Sequence, residues 1–136
     1  MATNFLPTDL SSIFSVKGKT AVVFGGAGGL GNALARGLAA FGANVVISAR
    51  NEENLKKGVE KIQADAKGGE ITYCAADACK VEDIEKVKKF TIDKFGSVEI
   101  LVCSQGFNRK HDIVEFDMSD WQAMFDTNAT SGFNSV

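Results

Sequence analysis

Thr20-Ala21-Val22-Val23-Phe24-Gly25-Gly26-Ala27-Gly28-Gly29-Leu30-Gly31 is the stretch on which the fold turns. A short apolar run with no polar alternation predicts a strand buried on both faces. It ends in a glycine cluster, after which Leu30, Ala33, Leu34, Gly37, Leu38 and Phe41 recur at helical spacing, with Gly42 as the stop. Strand, glycine turn and helix in that order form the start of a βαβ unit.

The pattern repeats downstream. Asn44 to Ala49 is a second β-branched, apolar strand, and Asn51 caps a helix with Glu52 and Glu53 in its first turn, where the helix dipole favours acids. The apolar face of that helix is Leu55, Val59, Ile62 and Ala66, closed by Lys67-Gly68-Gly69. Ile71 to Ala76 reads as a third strand and Val81 to Phe95 as a third helix, with Ile84, Val87, Thr91 and Phe95 inward and Gly96 as its stop. Val98 to Cys103 is a fourth strand, and Ser119-Asp120-Trp121-Gln122 reads as a capping box opening a last helix that runs to Val136. Strands separated by helices need crossover connections, so the expected fold is α/β: a Rossmann-type, doubly wound parallel sheet, incomplete, with its first four strands present. Residues 1–15 are expected to be an N-terminal extension and 16–136 the dinucleotide-binding domain.

Composition agrees with one ordinary globular domain. The 136 residues carry 15 basic and 17 acidic side chains, a net charge of −2, with 45% hydrophobic and 24% charged residues. No basic cluster marks a nucleic-acid surface. The densest basic spots, Lys56-Lys57 and Lys86 to Lys89, sit among acids on helical patterns and read as solvated faces. Cys74, Cys79 and Cys103 have no C-x-x-C spacing, so they read as reduced, buried, cytoplasmic thiols, and no metal site is expected. Met1 to Leu10 lacks the pattern of a secretory signal. Ala21 to Ile47 is long and apolar, but Arg36 within it would cost about 2.5–3.5 kcal/mol in a bilayer.

The glycines permit a tight turn and let backbone N–H groups approach a pyrophosphate at a helix N-terminus. Gly26, Gly28 and Gly31 satisfy G-x-G-x-x-G, while Gly25, Gly29 and Gly31 satisfy G-x-x-x-G-x-G, and spacing alone does not choose. No Lys-Ser/Thr follows, which excludes a triphosphate-binding P-loop. At the end of the second strand an acid would hold a ribose 2′-OH, whereas an arginine accommodates a 2′-phosphate. Arg50 stands there, favouring NADP over NAD.

From Val16 onward these residues resemble the short-chain dehydrogenase/reductase family. The resemblance selects the register Gly25, Gly29 and Gly31, and implies that Gly25, Gly28, Gly29, Leu30 and Gly31 hold the cofactor. Phe24 replaces a usual threonine, and Gly28 stands where many NADP-preferring members have a basic residue, leaving Arg50 for the 2′-phosphate. Asp77-Ala78 matches the acidic position that contacts the adenine; without the resemblance Asp77 reads as a turn residue. Ile100-Leu101-Val102-Cys103-Ser104-Gln105-Gly106 is similar to the family's I-L-V-N-N-A-G, so Cys103, Gln105 and Gly106 are expected at the cofactor, partly through backbone. Trp121 and Asn128 fit W-x-x-x-x-x-x-N, which makes Asn128 the active-site asparagine that orders water in a proton relay.

The family's remaining active-site residues, a serine and a Tyr-x-x-x-Lys pair, are not found. The only tyrosine, Tyr73, has Asp77 four residues later. The resemblance thus implies an NAD(P)-dependent oxidoreductase acting on an alcohol or ketone, the 136 residues alone being inactive. The loop Phe107 to Asp112, with Arg109, Lys110 and His111, weakly resembles gluconate 5-dehydrogenases and suggests a sugar acid or polyol. A cytoplasmic homo-oligomer is expected, without nucleic-acid or membrane partners. The alternative is a non-catalytic NADP-binding regulatory or interaction protein. A serine and Tyr-x-x-x-Lys beyond Val136 in the gene would favour the enzyme.

Overall fold

The computed structural model describes residues 10–66, 68–110 and 112–136. The N-terminal residues 1–9, Lys67 of the second helix's expected stop, and His111 lie outside the described residues. After a 3-10 turn at Leu10–Phe14, four strands, β1 (Thr20–Phe24), β2 (Asn44–Ala49), β3 (Ile71–Ala75) and β4 (Ile100–Cys103), alternate with α1 (Gly29–Ala40), α2 (Glu52–Gln63) and α3 (Val81–Phe95). All pairings are parallel, in the order β3-β2-β1-β4. Val22 at the centre of β1 faces Val46 on one side and Leu101 on the other.

Alternation along the strands serves two cores. Val23, Val45 and Ile47 pack with Ala35 and Ala39 of α1 and with Leu55 and Ile62 of α2. Val22, Phe24 and Val46 pack with Cys74 and with Ile84 and Val87 of α3. Residues of β1 and β2 are therefore buried on both faces, as the absence of polar alternation predicts. Asn51 caps α2 by accepting from the Asn54 N–H at 2.9 Å. Thr91, inward on α3, spends its hydroxyl on the Val87 carbonyl at 2.7 Å. The basic spots lie on solvated faces, where Lys56 pairs with Glu52, Lys88 with Glu85 and Lys89 with Asp93.

Four sequence readings need correction. The buried stripe of α1 is Gly31, Ala35 and Ala39, while Leu30, Leu34 and Phe41 are exposed. The helix lies so close to the glycine turn that only small side chains fit beneath it. Of the three cysteines, all free, only Cys74 is buried; Cys79, in the turn between β3 and α3, and Cys103, the last residue of β4, are exposed. The last helix is capped by Asp117, not Ser119: the Asp117 carboxylate accepts from the Ser119 N–H at 2.7 Å, holding its pKa below the ordinary aspartate range. Nor is that helix a regular α-helix throughout. It comprises α4 (Met118–Phe125), a π-helical turn at Asp126–Thr130 and the short α5 (Ser131–Asn134).

Candidate dinucleotide site

At the carboxyl end of β1 the chain turns on Gly25, whose φ of +75° suits glycine. Its N–H donates to the Ser48 carbonyl at 2.8 Å, tying the turn to β2, and its carbonyl accepts from the Gly28 N–H at 2.9 Å. A Cβ on Gly25 would come within 2.6 Å of the backbone of Ser104 and Gln105, and one on Gly31 within 2.3 Å of the Gly25 carbonyl. These glycines serve packing. Gly29 differs, because a Cβ there would meet nothing within 4 Å. No protein atom explains that glycine, which opens α1 beside Gly28, a residue that gives the helix no side-chain cap. Uncapped first-turn N–H groups beside a missing side chain suit a phosphate brought by a ligand.

A cavity of about 290 Å³ lies along the carboxyl ends of the strands. It gathers Gly25 and Gly28 from the turn, Arg50 from β2, Asp77 and Ala78 after β3, and Gln105 and Gly106 after β4. Arg50 is exposed, lines the cavity and has no ion pair among the described residues. Asp77 is both things the sequence suggested: its carboxylate accepts from the Cys79 N–H at 3.0 Å in a local turn, and it lines the cavity. Its own N–H is taken by Asp83 at 2.8 Å.

Other expected site residues lie elsewhere. Gly29, Leu30, Gly31 and Cys103 do not line the cavity, and Cys103 pairs with Phe24 in the sheet register. Asn128 lines a second cavity of about 250 Å³ with Trp121 and Met124. The two cavities adjoin, since Phe107 and Thr127 line the first and their chain neighbours Asn108 and Asn128 the second. Asn128 sits in the π-turn, a helix irregularity frequent at functional sites. In the loop after β4, Arg109 is paired with Asp120 and lies over the Phe107 ring at 5.8 Å. That leaves exposed Lys110 as the loop's uncommitted described cation.

Sequence reasoning missed Ser48, Cys79, Phe107 and Thr127 in the first cavity. Ser48 had a usable signal, being the polar residue within a strand otherwise apolar from Val45 to Ala49. It is fully buried, and among the described residues its Oγ has no partner; Gln105 Oε1 is likewise buried and without a partner among them. An unmade bond costs about 1–3 kcal/mol. An uncapped helix start and a guanidinium without an ion pair among the described residues fit a ligand with phosphates. Among the described residues no group of three or more His, Cys, Asp and Glu is arranged to hold a metal, and no helix is long and apolar enough to cross a membrane.

A four-stranded parallel sheet, with a glycine turn leading into a helix and a cavity across its carboxyl edge, defines a Rossmann-like α/β domain, in which ligands sit at that edge. The chain belongs to the short chain dehydrogenase family, whose sequence model matches residues 19–136. Members of this family bind nicotinamide dinucleotides. An uncharacterized oxidoreductase of Escherichia coli, YgcW, is 35% identical over 88% of this chain and 45% of its own length. A D-beta-hydroxybutyrate dehydrogenase of Cupriavidus necator is 32% identical over 89% of this chain and 46% of its own. A short-chain type dehydrogenase/reductase from Mycobacterium ulcerans superposes with a TM-score of 0.84 at 27% identity, covering 90% of this chain and 45% of that one. The chain thus spans somewhat under half the length of these relatives.

Proposed function

We propose that this chain is the cofactor-binding part of an NADP-preferring oxidoreductase that transfers a hydride between a nicotinamide cofactor and an alcohol or ketone. The observation that carries the reading is the first cavity, which brings Gly25, Gly28, Arg50, Asp77 and Gly106 together from four separate strand ends. In this reading N–H groups at the start of α1 hold the pyrophosphate, with Gly29 and Leu30 contributing backbone alone and Gly31 allowing the approach. Arg50 pairs with the 2′-phosphate through charge-assisted hydrogen bonds. Asp77 and Ala78 border the adenine, and the backbone from Cys103 to Gly106 lies along the cofactor. The bound nicotinamide supplies the hydride acceptor or donor.

Asn128 lies beside the second, more apolar cavity, where the substrate carbon would enter. Its side chain bonds the Phe107 backbone twice and keeps one N–H and one lone pair, enough to order a relay water. Tyr73 lies on β3 and bonds Glu52, so it is not the proton donor; the serine and Tyr-x-x-x-Lys of the family reading belong to the rest of the protein. A hydroxy acid, sugar acid or polyol is the favoured substrate class. Lys110 in the loop after β4 supports it, as does the similarity to a hydroxybutyrate dehydrogenase. We also expect a cytoplasmic homo-oligomer, for which half-exposed Trp121 and Phe125 on α4 offer apolar contact area.

The full-length protein with NADP⁺ and a panel of polyols, sugar acids and hydroxy acids tests the reading through the absorbance of the reduced cofactor. Turnover of any member supports it. Tight NADP⁺ binding with no turnover across the panel would favour the non-catalytic binding protein, the reading that the Cys103-Ser104-Gln105 departures suggest.

A further inference from the structure

Gln105 stands where the family resemblance has alanine, and its amide joins the cofactor cavity to the π-turn. Its Nε2 donates to Ser131 Oγ at 2.8 Å, and Ser131 Oγ donates to the Thr127 carbonyl at 2.6 Å. Ser131 is fully buried. Its backbone N–H bonds the Asp126 carbonyl, five residues back. The hydroxyl therefore takes the Thr127 carbonyl, which the N–H would serve in a regular α-helix. The hydroxyl thus gives the Thr127 carbonyl a donor within the irregular turn.

The direction of the chain fixes the amide. Ser131 has one hydroxyl proton and gives it to Thr127, so toward Gln105 it can only accept. Gln105 must then present Nε2 to Ser131, which leaves Oε1 buried and, among the described residues, without a partner. At the other end, the π-turn carries Asn128, whose side chain grips Phe107 and whose Oδ1 lies 3.0 Å from where a Cβ on Gly106 would be.

We propose that Gln105 is a positioning residue: through Ser131 it pins the π-turn that sets Asn128, and a ligand filling the cavity that Gln105 and Thr127 of that turn both line tightens the pin. The proposal rests on the active-site reading of Asn128. It makes occupancy of the cofactor cavity and order at Asn128 one coupled event.

Amide hydrogen exchange of the full-length protein tests this without any substrate. Gln105→Met keeps side-chain bulk and removes the amide, and Ser131→Ala removes the link from the other side. Without ligand, each should speed exchange at residues 126–131 and at Phe107 by about tenfold, the scale of one ordinary hydrogen bond, while β1 and β2 stay unchanged. The double variant should add little to either single one, since both break the same link. NADP⁺ should slow exchange at 126–131 in the wild type and not in the variants. Unchanged exchange at 126–131 in both variants overturns the pin. Protection of Gly25–Leu30 by NADP⁺ with none at 126–131 in the wild type overturns the coupling. Absence of NADP⁺ protection everywhere instead counts against the cofactor reading, and the ligand-free comparison still decides the pin.

Discussion

The Asn128 side chain closes a ring on the backbone of Phe107, its Nδ2 donating to the carbonyl at 2.9 Å and its Oδ1 accepting from the N–H at 3.0 Å. One amide thus fastens the loop after β4 to the π-turn, at the border between the two cavities. In the full-length protein Asn128→Ala should lower turnover more than it lowers NADP⁺ affinity. It should also reduce stability by about 1–3 kcal/mol, two ordinary hydrogen bonds. Turnover kinetics, calorimetry and denaturant unfolding measure the three effects. Normal turnover with lowered stability would reduce Asn128 to a backbone clamp.

Gly29 and Gly31 are two residues apart and should respond oppositely to alanine. Gly31→Ala drives a Cβ to 2.3 Å from the Gly25 carbonyl and should unfold or strongly destabilise the turn. Gly29→Ala meets no protein atom, so it should leave stability unchanged or raise it by up to about 1 kcal/mol, the usual gain of alanine over glycine in a helix. Its dinucleotide affinity should fall, because the new methyl occupies space kept for the ligand. Thermal unfolding and calorimetry on both variants check this; undiminished affinity in Gly29→Ala would remove the phosphate from the start of α1.

These glycines also show what was legible in the sequence. The glycine run between an apolar strand and a helix announced the turn, since few other folds need so many side chains removed at one point. The outward face of α1 was misread because periodicity locates an apolar stripe without saying which stripe packs. Here the tight approach demanded by Gly31 puts Ala35 and Ala39 underneath and turns Leu30, Leu34 and Phe41 out. Arg50 was legible because it follows directly on β2, and strand ends in a parallel sheet share one edge; Asp77, Gln105 and Gly106 were legible only through the family resemblance. The link from Gln105 to Ser131 was not legible, because it spans 26 residues and depends on a π-turn that leaves no mark in the hydrophobic pattern.

Glu99 supplies a pH dependence. Ser97 Oγ donates to its Oε1, and the Thr20 N–H to its Oε2 at 2.7 Å, holding the carboxyl below the ordinary glutamate range while it ties the start of β1 to β4. A pKa depressed in the folded state contributes stability that is present above the unfolded value, about 4.3, and is lost as pH falls through the folded pKa. Glu99→Gln should therefore be less stable than the wild type near neutrality, with the gap closing as the pH drops below about 4. Thermal midpoints measured from neutral to acidic pH follow the gap; a constant difference would show that the Glu99 charge is immaterial.

Residues 1–136 expressed alone should associate. Among the described residues β4 pairs only with β1, which leaves its other edge open. Leu101 and Val98 are partly exposed there, beside a cavity of about 360 Å³ that reaches Val136. Open apolar strand edges recruit other chains. Size-exclusion chromatography at several concentrations should show concentration-dependent larger species and no dehydrogenase activity. A stable monomer contradicts the edge argument, and reproducible turnover would place the chemistry within these residues.

In the proposed reading, Arg50 makes the cavity along the strand ends an NADP site. Titration calorimetry of NADPH and NADH into the full-length wild type and Arg50→Ala tests it most directly. NADPH should bind more tightly than NADH to the wild type, and Arg50→Ala should weaken NADPH by about 1.5–3 kcal/mol, the range of a charge-assisted hydrogen bond, with NADH nearly unchanged. Equal losses for the two cofactors, or equal wild-type affinities, would contradict the assignment.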